Sequence, residues 1–136
     1  MTFRTLLIIK AIVCLVFGLF LLIAPTALFR LLGSDLNEGG TFAAREYGAA
    51  LIGTLLLTWF AKNVKAMDAR GAILIDLFIY DLIGVFVTSA VVVNGVLSVL
   101  GWSIVAVYLF FTVGSGYLLL KEKPFQQMHS RKAEQD

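Results

Sequence analysis

The stretch GAILIDLFIYDLIGVFVTSAVVV, residues 71–93, decides the class of this protein, because it is long and apolar enough to cross a lipid bilayer. A helix needs roughly 20 consecutive apolar residues to span a hydrocarbon core about 30 Å thick. The charged residues inside the stretch are Asp76 and Asp81. Because carboxylates are costly in lipid, their position calls for a partner or a function.

The rest of the chain has the same character. Its 136 residues are 60% hydrophobic and 15% charged, with a mean hydropathy of +0.91, whereas a water-soluble domain needs more polar surface. Three further apolar runs lie at residues 5–24, 42–60 and 102–120. These runs are continuous rather than alternating, which favours helices over strands. The sequence predicts an all-α, antiparallel up-down bundle of four transmembrane helices in one domain, residues 1–120, followed by a polar cytoplasmic tail, residues 121–136.

Positive charge predicts the orientation of this bundle. With a cytoplasmic amino terminus, Arg30 and Arg45 lie outside, and nine of the eleven basic residues lie inside: Arg4, Lys10, Lys62, Lys65, Arg70, Lys121, Lys123, Arg131 and Lys132. Such a bias places both termini in the cytoplasm of a multi-pass protein of the inner, cytoplasmic cell membrane. The first run is expected to stay in the membrane rather than to be cleaved as a signal peptide, and a short interfacial helix is expected from Pro25.

The depth of each charge predicts its partner. At about 1.5 Å of rise per residue, Asp81 lies near the bilayer midplane, and Asp76 lies about 9 Å closer to the cytoplasm, level with Lys10. A structural ion pair between Lys10 and Asp76 is therefore predicted. The alternative is that Asp76 titrates in function.

No cation is expected at the depth of Asp81. Because desolvation disfavours the charged form, Asp81 is predicted to be protonated and hydrogen-bonded, and the alternative is a proton or cation site. Asp76 lies about 140° around the helix from Asp81, so the two form no dyad. Gly84 and Thr88 share the face of Asp81, which indicates a close helix contact.

Small residues predict where the helices approach one another, since they let backbones come close. The candidates for helix packing are Gly18, Gly48, Ala49, Gly53, Gly84, Thr88, Gly114 and Gly116. Arg45 lies near the outer interface, where it either anchors the helix among headgroups or binds a lipid phosphate or another anionic headgroup.

A family resemblance agrees with this topology. The segments AREYGAALIGTLLLTWFAK, residues 44–62, and LGWSIVAVYLFF, residues 100–111, flank a short basic loop with Arg70. Together they resemble small four-helix integral membrane proteins of bacteria and archaea that are classed as domains of unknown function. The resemblance covers most of the chain and implies the topology, but it implies no activity and no site residue.

The sequence carries no enzymatic signature. His129 and Cys14 are the sole histidine and cysteine, so no metal site, disulfide or cofactor is expected, and a net charge of +2 gives no case for nucleic acid. We expect a non-enzymatic accessory or structural subunit that contacts membrane lipids and packs within itself, as a homo-oligomer or in a larger membrane complex. The alternative is a small oligomeric proton- or cation-coupled transporter or channel that uses Asp81 and Asp76.

Overall fold

The computed structural model describes residues 1–122 and 124, and within them the chain forms five helices and no strand. The helices are α1 (Phe3–Ile23), α2 (Pro25–Leu31), α3 (Glu38–Ala61), α4 (Met67–Val93) and α5 (Gly101–Glu122). This confirms the all-α prediction for the described residues. The largest differences from the predicted runs are at the starts of α3 and α4, each four residues earlier (38 against 42, 67 against 71). Helix α5 includes the first two residues of the predicted tail, and the rest of that tail, apart from residue 124, lies outside the described residues.

Three of the described helices, α1, α4 and α5, are long and apolar enough to cross a membrane. Their presence identifies a membrane protein. Helix α3 has 24 residues, which is within the range of 21 to 27 residues of those three helices, but Glu38, Arg45 and Glu46 make its first half more polar.

Local sequence explains where the helices begin. The Thr2 side chain accepts a hydrogen bond from the main-chain N–H of Thr5 at the start of α1. Pro25 opens α2, where its missing N–H would have no helical partner, so the short helix expected there is present. The Asn37 side chain caps α3 by accepting from the N–H of Gly40 at 2.7 Å.

The long helices pack as two antiparallel hairpins. Helix α3 packs along α1, and α5 packs along α4, while contact between the hairpins is much smaller and is made mainly by α1 with α5. We call the end that holds the amino terminus and the α3–α4 connection the terminal end. The opposite end, with α2 and the α4–α5 connection, is the loop end.

A core cluster lies at the terminal end and joins the two hairpins. It contains buried residues from all four long helices: Phe3, Leu6, Leu7, Ala61, Leu74, Leu77, Phe111 and Leu118. A second cluster belongs to the first hairpin alone, and its buried residues are Cys14, Leu21, Ala44 and Leu51. The second hairpin adds no buried residue to that cluster, so apolar packing between the hairpins is concentrated near the terminal end.

A main-chain contact joins the hairpins at the loop end. The N–H of Ser98, in the α4–α5 connection, donates to the carbonyl of Leu32, just after α2, at 2.7 Å. Gly33 follows with φ +84°, and a Cβ on it would lie 2.8 Å from the Cβ of Ser98. Glycine therefore serves two needs at position 33, a left-handed backbone and room for the neighbouring loop.

Most of the small residues predicted to pack lie at close contacts. A Cβ on Gly48 would lie 3.0 Å from the carbonyl oxygen of Gly18, so α1 and α3 touch backbone to backbone. A Cβ on Gly116 would lie 3.1 Å from the Phe78 ring, and one on Gly114 would overlap Met1. Two predictions were wrong for contacts within the chain. Gly53 has nothing within 4 Å of its Cβ position, and Ala49 is exposed, because both lie on the side of α3 that faces away from α1.

Candidate binding cavity

A buried ion pair connects the two hairpins in the middle of the bundle. Nζ of Lys10, on α1, lies 2.5 Å from Oδ1 of Asp81, on α4, and the two side chains are 5% and 0% exposed. The same ammonium lies 4.4 Å from the ring centroid of Phe111 and 5.2 Å from that of Tyr80. A carboxylate and two aromatic faces thus replace the water that the lysine loses on burial.

The predicted pair between Lys10 and Asp76 is not formed, because Asp76 lies on the exposed side of α4. Residues Leu74, Leu77 and Asp81 form the buried side of this helix, and Asp76 lies about 140° away from Asp81 around the helix axis. The lysine stem is long and flexible, so its ammonium can reach an acid at another depth. The expectation that Asp81 has no cation nearby was also wrong, because it did not allow for the reach of the lysine side chain.

Three tyrosine hydroxyls meet beside this pair. The Tyr47 hydroxyl, from α3, hydrogen-bonds to the hydroxyls of Tyr80, on α4, and Tyr108, on α5; the contact with Tyr108 is 2.8 Å. The rings of Tyr80 and Tyr108 meet edge to face at a centroid distance of 6.3 Å. The trio therefore bridges α3 to the second hairpin, although α3 and α4 have little direct packing.

Gly84 sets the position of Tyr108. A Cβ on Gly84 would lie 2.6 Å from two carbons of the Tyr108 ring, so the ring packs directly against the α4 backbone. The stripe of Asp81, Gly84 and Thr88 therefore faces the second helix of its own hairpin and the interior. Thr112, one turn after Tyr108 on α5, donates its hydroxyl to the carbonyl of Tyr108 at 2.9 Å, so this hydroxyl has its partner within α5.

A cavity of about 200 Å³ lies between the hairpins, with polar groups at one end. Lys10, Asp81 and the three tyrosines line that end, in the middle of the bundle. The remaining wall is mainly apolar and extends to the loop end, where it includes Leu28, Phe29, Leu32 and Leu97. Cys14 and Thr88 also line it. This lining suits a small, mainly apolar molecule with one polar group, which places the polar group at the polar end and the apolar part along the apolar wall.

One oxygen at the polar end lacks a partner. Oδ1 of Asp81 accepts from Lys10, but Oδ2 is buried without a hydrogen bond to any described residue. Leaving a charged oxygen unsatisfied in a buried site is costly, so such an atom marks a place for a donor.

The other predicted site residue, Arg45, does not line this cavity. It is exposed on α3 beside Glu46, and within the described residues neither side chain has an ion-pair partner. The structure therefore does not bring Arg45 together with Lys10, Asp76 or Asp81.

Sequence reasoning missed Tyr47. The available signal was a phenol near the start of an apolar run, because a tyrosine hydroxyl removed from water needs a partner.

Comparisons with protein-family models, with curated proteins and with solved structures found no match to this chain.

Proposed function

We propose that this chain is a four-span membrane protein with both termini in the cytoplasm, and that it binds a lipophilic molecule without catalysing a reaction. The packing of α3 supports the fourth span. Gly48 contacts Gly18 in the loop-end half of α1, and Ala61 shares a cluster with Phe3 at the terminal end. A helix that follows a spanning helix over its length crosses the same bilayer.

The distribution of charge supports the orientation. Lys10 is buried in mid-bundle, so its charge favours neither side of the membrane. Arg4, Lys62, Lys65 and Arg70 lie at the terminal end, whereas Arg30 and Arg45 lie toward the loop end. The positive-inside rule makes the terminal end cytoplasmic.

The cavity is the observation that carries the binding function. It has an apolar wall and a single polar end, it lies between hairpins that contact each other sparingly, and the side chains of Tyr47 and Tyr80 at its edge are 37% and 38% exposed. We infer that the cavity opens between α3 and α4, toward lipid. The charge of Asp81 is matched by Lys10, which weighs against the alternative of a proton- or cation-coupled transporter.

Native mass spectrometry of the purified protein tests this function. We expect wild-type protein to retain a lipid-sized adduct, and Thr88→Trp, which fills the cavity from α4, to lose it. Val87→Trp is the matched control, because Val87 is the preceding residue and is 57% exposed. Equal adducts in both variants, or none in the wild type, would contradict the proposal.

A second candidate function is self-association through the exposed side of α3, and one observation favours it. Exposed residues recur there at alternating intervals of four and three, as in a helix seam: Phe42, Glu46, Ala49, Gly53, Leu56 and Phe60. We call this set the α3 outer face. Arg45 lies next to the α3 outer face. In a dimer of two parallel α3 helices related by a twofold axis, Glu46 of each copy lies beside Arg45 of the other copy. This pairing gives both exposed charges a partner, and it would make the protein the homo-oligomer expected from its sequence.

Cysteine crosslinking tests the self-association in a Cys14→Ala background. We expect Gly53→Cys to form disulfide-linked dimers in membranes and Val113→Cys, which is 62% exposed on α5, to remain monomeric. Reversing one charge, Arg45→Glu or Glu46→Arg, should reduce the dimer, and reversing both should restore it. Equal crosslinking at positions 53 and 113 would exclude the α3 outer face as the interface.

A further inference from the structure

We propose that the molecule held in the cavity is an uncharged lipid with a hydroxyl group, and that this hydroxyl donates a hydrogen bond to Oδ2 of Asp81. This inference rests on the proposed binding function and specifies the ligand of the same site. It begins from the unpartnered oxygen. Asp81 is 0% exposed, its Oδ1 is bonded to Lys10, and its Oδ2 has no partner among the described residues, although the side chain lines the cavity. A ligand that donates a hydrogen bond satisfies this oxygen.

The tyrosine trio supplies the complementary group. Three hydroxyls carry three hydrogens, and the two hydrogen bonds among them use two. No other acceptor among the described residues bonds to these hydroxyls, so one O–H remains to donate into the cavity. The polar end thus offers an acceptor, on Asp81, and a donor, on the trio. An alcohol oxygen both donates and accepts, and therefore matches the two groups together.

The charge of the polar end argues against an ionised headgroup. Among the described residues that line the cavity, the basic side chain is that of Lys10. Its Nζ lies 2.5 Å from Oδ1 of Asp81, which already neutralises its charge. A phosphate or carboxylate carried to this depth would lose its water without gaining a free cation. A hydroxyl loses far less on desolvation, and both of its hydrogen-bonding functions find partners here.

The apolar wall accounts for the remainder of the ligand. It extends from the ion pair toward α2 and the α4–α5 connection, with Phe17, Leu21 and Val107 between the two ends. A hydrocarbon chain attached to the hydroxyl fits along this wall, and burial of apolar surface supplies most of the affinity.

Three probes that differ in one group test the inference. Farnesol can donate and accept, its methyl ether can only accept, and farnesene can do neither, while the hydrocarbon chain is nearly constant. We expect purified protein in lipid nanodiscs to bind farnesol most tightly, the ether about tenfold more weakly, and farnesene more weakly still, because each step removes a hydrogen bond at a buried site. Equal binding of farnesol and the ether would overturn the hydroxyl inference and leave the binding function standing. No binding of any probe would overturn both.

The variant Asp81→Asn tests whether the preference for farnesol over its methyl ether depends on Asp81. In Asp81→Asn the amide can still accept from Lys10 while it presents N–H groups to the cavity, so the preference for farnesol over the ether should vanish. Asp76→Asn is the matched control, because this exposed carboxyl lies on the same helix and outside the cavity. A preference that persists in Asp81→Asn, or that Asp76→Asn also abolishes, would overturn the assignment. The wild-type comparison of the three probes decides the inference even where Asp81→Asn fails to fold.

Discussion

Nζ of Lys10 and Oδ1 of Asp81 lie 2.5 Å apart, although the two residues are separated by 71 positions in the chain. The contact links α1 to α4, two helices that belong to different hairpins and pack little against each other directly. This buried ion pair, together with the neighbouring tyrosine trio, therefore fixes how the hairpins face each other in mid-bundle.

Removing one member of this pair should destabilise the fold strongly. Lys10→Met leaves the Asp81 carboxylate buried without its cation, and breaking a buried pair in this way costs about 3–5 kcal/mol. The double variant with Asp81→Asn should recover much of that loss, because no buried charge then remains. The measurement is the free energy of unfolding by SDS in mixed micelles. Asp76→Asn should not destabilise the fold, since Asp76 is exposed and has no ion-pair partner among the described residues, and a loss of stability there would show that Asp76 has a partner after all.

The tyrosine trio should respond unequally to loss of its hydroxyls. Tyr47→Phe removes both hydrogen bonds, whereas Tyr80→Phe and Tyr108→Phe remove one each. At about 0.6 kcal/mol per bond inside a membrane protein, Tyr47→Phe should cost about twice as much as either of the others. Equal losses for the three variants in the same unfolding assay would show that Tyr47 is not the central member.

Enlarging Gly84 should displace Tyr108. A Cβ at position 84 would lie 2.6 Å from the Tyr108 ring, so Gly84→Val should overpack the α4–α5 contact at a cost of about 1–3 kcal/mol. The displaced ring should also lose its hydrogen bond to Tyr47.

Gly53→Ala is the natural control for that variant. Its Cβ would meet nothing within 4 Å inside the chain, and alanine favours helix over glycine by about 1 kcal/mol. The monomer should therefore be unchanged or slightly more stable. If the unfolding free energies fell equally at positions 84 and 53, close contact with Tyr108 would not be the cause.

Labelling of introduced cysteines should show whether α3 crosses the membrane. In a Cys14→Ala background, Asp35→Cys precedes α3 and Asn63→Cys follows it, and both positions are exposed. We expect a membrane-impermeant maleimide to label position 35 in intact cells and position 63 only after permeabilisation. Labelling of both from one side would mean that α3 does not cross.

The helices were predictable because apolar runs of this length have few alternatives to helical structure in lipid. The start of α3 was predicted late, at residue 42, since the polar residues from Glu38 onward resemble a loop until the Asn37 cap is considered. The short helix α2 was predictable from Pro25 at its start and Gly33 beyond its end.

The partner of Lys10 was predicted wrongly because depth was given more weight than direction. Asp76 has the matching depth, but Asp81 lies on the face of α4 that carries Leu74 and Leu77 and points into the bundle. The alignment of Asp81 with Gly84 was already visible in the sequence and indicated that inward face. What the sequence could not supply was the cavity, since its wall combines residues from all five helices.

The link between the loops, from the N–H of Ser98 to the carbonyl of Leu32, has a consequence for how this protein can diverge. Both partners are main-chain atoms, so the bond itself does not depend on which side chains stand at positions 32 and 98, and proline at 98 is the exception because it lacks the N–H. The constraint falls instead on Gly33, which has φ +84° and no room for a Cβ beside Ser98. Distant descendants of this sequence could therefore differ at both bonded positions, keep the same junction, and be recognised by the glycine between them.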